Sequence, residues 1–148
     1  MPFIAVITGY GAIIFGPTAE IPKDKTMITQ IKGLHHVTSM AGDAQANNAF
    51  FTKVLGLRRV KKTVNFDAPD VYHLYYGDEM GSPGSVMTYF PFPHMPKGRP
   101  GTGEVGTTVF AIPEGALGYW EARLAKAAVG NLAKDQLYGA DRLTFDGP

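Results

Sequence analysis

The sequence predicts an α+β fold of paired βαβββ modules whose strands build a curved, mixed sheet, with the second module incomplete. Two observations predict it. From Thr29 onward, apolar residues follow strand, helix, strand, strand, strand spacing, with Gly/Pro/Asp turn clusters between the runs. A second strand-and-helix run then begins 71 positions further on, since Leu34 matches Val105 and Asp43 matches Glu114.

Each element has a local reason. Residues 1–17 carry no charge and are broken by Gly9, Gly11 and Gly16. Without a positive n-region or an unbroken apolar run they read neither as a secretory signal nor as a spanning helix. Residues 1–28 are therefore expected to form a poorly structured apolar extension. A strand follows over 30–40. Asp43 is a helix N-cap, because its carboxylate can accept from the free amides of the next turn. Ala46, Phe50 and Val54 recur at helical spacing, with Ala49 beside them, and predict one buried stripe. Gly56 is the left-handed stop. Strands are predicted over 57–65, 71–76 and 85–90, separated by Asp67-Ala68-Pro69-Asp70 and Gly81-Ser82-Pro83-Gly84. The first module thus covers 29–92, and a Pro/Gly-rich linker covers 93–103.

The second module, 104–148, opens with a strand over 105–111. Its helix begins near Pro113 and Glu114 and places Leu117, Trp120, Leu124 and Ala127 on one face. The 71-residue offset maps the last residue, Pro148, onto Gly77, the end of the first module's third strand. The second module is therefore expected to stop before its fourth strand. An unpaired edge would follow, and with it self-association as a homo-oligomer through that module.

Composition bounds the function. A chain of 148 residues with 45% apolar and 18% charged residues is an ordinary globular one. A net charge of +1 points to no nucleic-acid partner, and no membrane segment is expected. The basic run 58–62 reads as the solvated side of a strand. Absence of cysteine removes disulfides and thiolate metal sites and is compatible with a cytoplasmic location.

Chemistry must then come from few residues, because the chain has four histidines. Period-two alternation puts Leu34, His36, Thr38 and Met40 on one face of the first strand, and His35, Val37 and Ser39 on the other. A neutral imidazole held on a rigid sheet can ligate a metal, yet a single strand histidine is more often a hydrogen-bonded core residue. A catalytic iron centre also wants about three protein ligands. His73 fits packing or a polar tip at a pocket edge equally well, and His94 reads as a solvated loop residue. In the second module Thr107 stands where His36 stands in the first.

The run Ile31-Lys32-Gly33-Leu34-His35-His36-Val37-Thr38 resembles the opening strand of the vicinal-oxygen-chelate superfamily, which holds glyoxalases, extradiol dioxygenases and bleomycin-resistance proteins. The continuation is more specific: Phe50-Phe51-Thr52-Lys53-Val54-Leu55-Gly56-Leu57-Arg58, Tyr72-His73-Leu74-Tyr75-Tyr76-Gly77-Asp78 and Phe90-Pro91-Phe92-Pro93. Together these are similar to the hydroquinone-type ring-cleaving dioxygenases. The resemblance implies Fe(II), with Mn(II) an alternative, bound by two His and one Glu. It implies a small aromatic diol and O2 as reactants. It makes His36 the first-module metal ligand and places His35 and Thr38 along the pocket or in the layer behind the ligands. Adjacency to His36 then marks His35 as the candidate catalytic acid or base; Thr38, and His73 at the pocket edge, are candidate substrate-binding residues. The remaining ligands belong to a later module, so by this reading the chain carries one ligand of three and is not a catalyst alone. Two alternatives stay open: a metal-free module of the bleomycin-resistance type that binds small aromatics, and a glyoxalase-like lyase or isomerase. The second alternative needs an acid on the fourth strand, and 85–90 contains none.

Overall fold

The computed structural model describes residues 3–8, 33–96, 98–99, 101–103 and 105–148 of the chain. The first strand, β1 (Phe3–Thr8), belongs to the second sheet. The regular pattern begins with β2 (His36–Ala41), then α1 (Ala44–Ala49), which runs directly into a π-helical turn (Phe50–Val54). Three strands follow, β3 (Arg58–Val64), β4 (Tyr72–Gly77) and β5 (Val86–Pro91). They form one sheet in the order β2-β5-β4-β3. β2 and β5 are parallel, with His36 opposite Val86 and Thr38 opposite Thr88, while β4 runs antiparallel to β5 and β3.

Local chemistry accounts for the helix and its end. Asp43 caps α1, its Oδ1 accepting from the Ala46 amide at 2.7 Å. Past Ala49 the helix widens, so that the Leu55 amide donates to the Phe50 carbonyl. Gly56 then takes φ +72°, where a side chain would be strained, and the chain turns into β3.

That widening changes which residues are buried. The spacing predicts a stripe of Ala46, Phe50 and Val54, but Ala46 is exposed, and Asn47 and Phe51 are the buried positions. The extra residue in the π turn rotates the face and aims neighbouring side chains at two different cores. Phe51 packs with Leu74, Tyr76, Met87 and Tyr89 under the first sheet. Phe50 and Val54 reach a second cluster built on Ile112, Leu117, Leu124, Leu143 and Phe145. Phe50, Leu55 and Phe110 touch both clusters, so the two halves share one apolar seam.

The second half repeats the plan with β6 (Thr107–Ile112), α2 (Leu117–Lys126), β7 (Ala133–Leu137) and β8 (Ala140–Asp146). β2 and β6 have the same length and begin 71 positions apart. On α2, Leu117 and Leu124 are buried as the periodicity predicts, whereas Ala127 is exposed as the helix cap. The predicted N-cap Glu114 lies before the helix. A turn closed by the Ala116 amide on the Pro113 carbonyl intervenes, and Ala116 is the N-cap. The second sheet has the order β6-β1-β8-β7, with β1 antiparallel to β6 and parallel to β8. Residues 3–8, expected in a poorly structured extension, thus pair with β6 throughout and with β8 from Ile4 to Thr8, which gives their backbone groups partners. The rest of 1–28, and with it most of that expectation, lies outside the described residues.

Candidate functional site

The two faces of the first sheet have different fates. One is covered by α1 and the π turn through Phe51, Leu74, Tyr76, Met87 and Tyr89. The other carries His36 and Thr38 from β2, Thr88 and Phe90 from β5, and His73 and Tyr75 from β4. Alternation forces this division, because each strand sends every second side chain to the same side. A bulge in β3 at Val60 adjusts the register, so that Lys61 lies opposite Tyr75 and Thr63 opposite His73. The remainder of the basic run is exposed, as its reading as a solvated strand predicts.

The polar residues of this face are wired together. The Tyr75 hydroxyl lies 2.9 Å from His73 Nδ1, and His73 Nε2 lies 3.0 Å from Thr88 Oγ1. Thr88 Oγ1 in turn lies 2.8 Å from Thr38 Oγ1, in hydrogen-bond contact. Thr88 is fully buried, and the His73 ring is packed between Phe90 and Tyr75, with centroids 4.0 and 4.2 Å away. Burial lowers the pKa of His73 below its ordinary 6.5, and the nearby positive potentials of His36 and Lys61 lower it further. Tyr76, on the covered face, is pushed up to about 12 by burial.

His35 and His36 occupy the edge where β2 begins. Both are exposed, their rings are perpendicular, and their Nδ1 atoms are 3.1 Å apart. His35 precedes the strand, so its position is not set by the sheet alternation that the sequence predicts for it. His36 and Thr38 share a face as the alternation requires. His94 is exposed in the turn after β5. Among the described residues, no three His, Asp or Glu side chains converge on a point that could hold a metal. Among the same residues, no helix is long and apolar enough to cross a membrane.

The profile of the Glyoxalase/Bleomycin resistance protein/Dioxygenase superfamily matches residues 33–145. The chain belongs to this superfamily. Among curated proteins, it is 49% identical over 115 residues to the Bacillus subtilis protein named "Putative ring-cleaving dioxygenase MhqE", covering 78% of this chain and 38% of that protein. It is 38% identical over 121 residues to the chlorohydroquinone/hydroquinone 1,2-dioxygenase of Sphingobium indicum, covering 80% of this chain and 38% of that enzyme. The chain therefore spans about two fifths of the length of the curated relatives it matches. Of solved structures, the Bacillus subtilis protein named "putative dioxygenase" superposes with a TM-score of 0.66 at 38% identity, covering 77% of this chain and 40% of that one. A glyoxalase family protein from Enterococcus faecalis superposes at 0.54 and 18% identity, covering 81% of this chain and 93% of that one, a likeness of fold.

Two residues of the face escape the sequence argument. Tyr75 is two positions from His73 on the same strand, and simple alternation pairs them. Thr88 has no such signal, because its contact with Thr38 depends on the parallel register of strands 50 residues apart.

Proposed function

We propose that this chain forms one wall of the cavity of a non-haem Fe(II) extradiol-type dioxygenase that cleaves hydroquinone- or catechol-like rings with O2. In this reading His36 is a metal ligand, His35 is the acid or base beside it, and Thr38 and His73 contact the substrate. The observation that carries it is the uncovered sheet face, where His36, Thr38, Thr88, His73 and Tyr75 come together opposite the helix. An aromatic ring suits a surface that already presents His73, Tyr75 and Phe90.

The donor set described is a part and not a whole. A facial triad takes about three protein ligands, and among the described residues one exposed strand imidazole, His36, with His35 at its side, is what the face offers. When bound, the metal supplies neighbouring open positions for diol and dioxygen. The chain's own residues then have defined tasks. Nδ1 of His36 faces Nδ1 of His35, which leaves the His36 Nε2 lone pair for a metal if its Nδ1–H donates to His35. In that tautomer His35 carries its hydrogen on Nε2, where it can donate to a substrate oxygen as an acid; acting as a base needs the opposite sense of the His35–His36 contact.

Anaerobic Fe(II) calorimetry on the chain, beside His36→Ala, tests the assignment. Binding is expected to be weak and to be lost in the variant; an unchanged isotherm would remove His36 from the metal. Hydroquinone titrated under argon and followed by amide shifts should perturb β2, β4 and β5 at the uncovered face. Shifts confined to other regions would refute the substrate assignment, and shifts that ignore both Fe(II) and a chelator would favour the metal-free aromatic-binding reading.

A further inference from the structure

We infer that Lys61 sets the specificity of the uncovered face, its ammonium receiving a carboxylate carried on a short arm of a hydroquinone-like ring bound beside His36. The inference rests on the reading of this face as the substrate face and adds a substrate class to it.

Charge on the first sheet is one-sided. β2, β3, β4 and β5 contain no Asp or Glu, and β3 brings four cations to the sheet edge. Pairing divides the four between the faces. Arg59 and Lys62 lie opposite Tyr76 and Leu74, on the side covered by α1. Arg58 and Lys61 lie opposite Gly77 and Tyr75, on the uncovered side. Three of them have a local task. Arg58 Nη1 donates to the Glu79 carbonyl at 2.8 Å, and Arg59 Nη1 donates to Asn48 Oδ1 at 3.3 Å. Lys62 Nζ sits 3.7 Å from the centre of the Tyr72 ring. Lys61 differs. Its Nζ is 5.3 Å from the centre of the Tyr75 ring, turned in over the face rather than out past the edge strand. Among the described residues it meets no carboxylate, the ion pair there being Arg142 with Asp135. The positive potential of Lys61 reaches His73 in the middle of the face, where it adds to burial in keeping that ring neutral.

Strand register relates the ammonium to His36. Thr38 is opposite Thr88, Thr88 opposite Tyr75, and Tyr75 opposite Lys61, so one row crosses the sheet from β2 to β3. His36 stands two residues from Thr38 on the same face. β4, over which the ammonium lies, is two strand spacings from β2, about 10 Å. A ring with a hydroxyl at His36 covers part of that span across Thr88 and Tyr75, and a short arm covers the rest. A group that ends at the ammonium gains if it is anionic, because no strand of the sheet supplies a carboxylate to neutralise the charge. A neutral arm gains nothing there, and a cationic one is repelled. The flexible lysine stem suits a compact carboxylate, since it imposes no bidentate geometry.

The test uses the full chain in metal-free buffer under argon at about pH 8, where histidines are ordinarily neutral and lysines charged. The probes are hydroquinone, hydroquinone bearing an acetate arm, and the methyl ester of that acid, each titrated and followed by amide shifts. The acid is expected to bind about three- to fivefold more tightly than its ester, the worth of one exposed ion pair, and added salt should erase the difference. Lys61→Met should remove the preference and Lys61→Arg should keep it. Lys62→Met takes the same charge from the other face of the same strand and should keep it too. Equal affinity for acid and ester in the wild type overturns the inference, as does a preference that survives Lys61→Met or falls equally with Lys62→Met. Hydroquinone binding at the face in those cases leaves the wider function standing. No binding of any of the three probes by the wild type sinks both.

Discussion

Removing the Arg123 guanidinium should loosen the joint between the two halves of the molecule, and the structure allows the cost to be worked out. Arg123 lies on α2, yet its Nε donates to the Val54 carbonyl at 2.6 Å and its Nη2 to the Lys53 carbonyl at 2.7 Å. These carbonyls close the π turn, where a helix end leaves acceptors without intrahelical partners. The guanidinium also lies 5.6 Å from the Trp120 ring, and its Nη1 donates to the Tyr119 hydroxyl. A charged donor to a carbonyl contributes roughly 1.5–3 kcal/mol when dry. Arg123 is only half-buried, so water can replace part of each bond, and about 1 kcal/mol apiece is the fitting value. Adding about 0.5 kcal/mol for the ring contact gives roughly 2–3 kcal/mol for Arg123→Ala. For a domain of this size that is a fall in Tm of roughly 4–12 °C. Lysine keeps the charge but cannot serve both carbonyls with one planar fork, so Arg123→Lys should recover less than half. Urea unfolding read in parallel by far-UV circular dichroism and by the single tryptophan would measure it. A loss below about 0.5 kcal/mol with an unchanged m-value would refute the reasoning and class the contact with ordinary exposed pairs.

Two further outcomes are expected. The β7–β8 hairpin turns through Tyr138 and Gly139, both at positive φ (52° and 78°), and Tyr138 is almost fully exposed. Tyr138→Asn should therefore stabilise by about 0.5 kcal/mol, because Asn-Gly suits this turn better than Tyr-Gly; a lower Tm for the variant would contradict the turn assignment. Asp78 accepts from the Ser82 and Met80 amides at 2.9 and 3.1 Å, and these bonds, that of Ser82 foremost, hold its carboxyl below the ordinary 3.8. A depressed carboxylate stabilises the fold above its unfolded value and loses that contribution as pH falls through the folded one. The stability gap between wild type and Asp78→Asn should accordingly narrow on acidification; a gap independent of pH down through that range would show that the carboxylate charge is not what the loop uses.

What the sequence made legible is what short-range periodicity and turn chemistry determine. The four strands of the first sheet and the helix between them can be read from alternation, from Asp43 and from Gly56, and the 71-residue offset is reproduced at both ends of β2 and β6. The common face of His36 and Thr38 follows from period two alone. The buried stripe departs from the 3.6 period because a π turn inserts a residue into it, and nothing in Phe50-Phe51-Thr52-Lys53-Val54 announces that. Thr88 stayed hidden for a different reason. Its role exists only through the parallel pairing of β2 with β5, and strand register between distant segments is a property of the packed core.

The β1 strand shows how a local signal can be outweighed by its context. In the first sheet the place beside β2 belongs to β5, which runs parallel to it; in the second sheet the place beside β6 belongs to β1, which runs antiparallel. The two sheets thus agree in order while this position is filled from the other end of the chain and in the opposite direction. Repeat analysis cannot see such a match, because it looks for the same sequence in the same polarity. The relevant signal was Phe3-Ile4-Ala5-Val6-Ile7-Thr8 itself. An uninterrupted apolar, β-branched run of this length is what a strand with neighbours on both sides carries, whereas an edge strand tends to alternate or to bear charge.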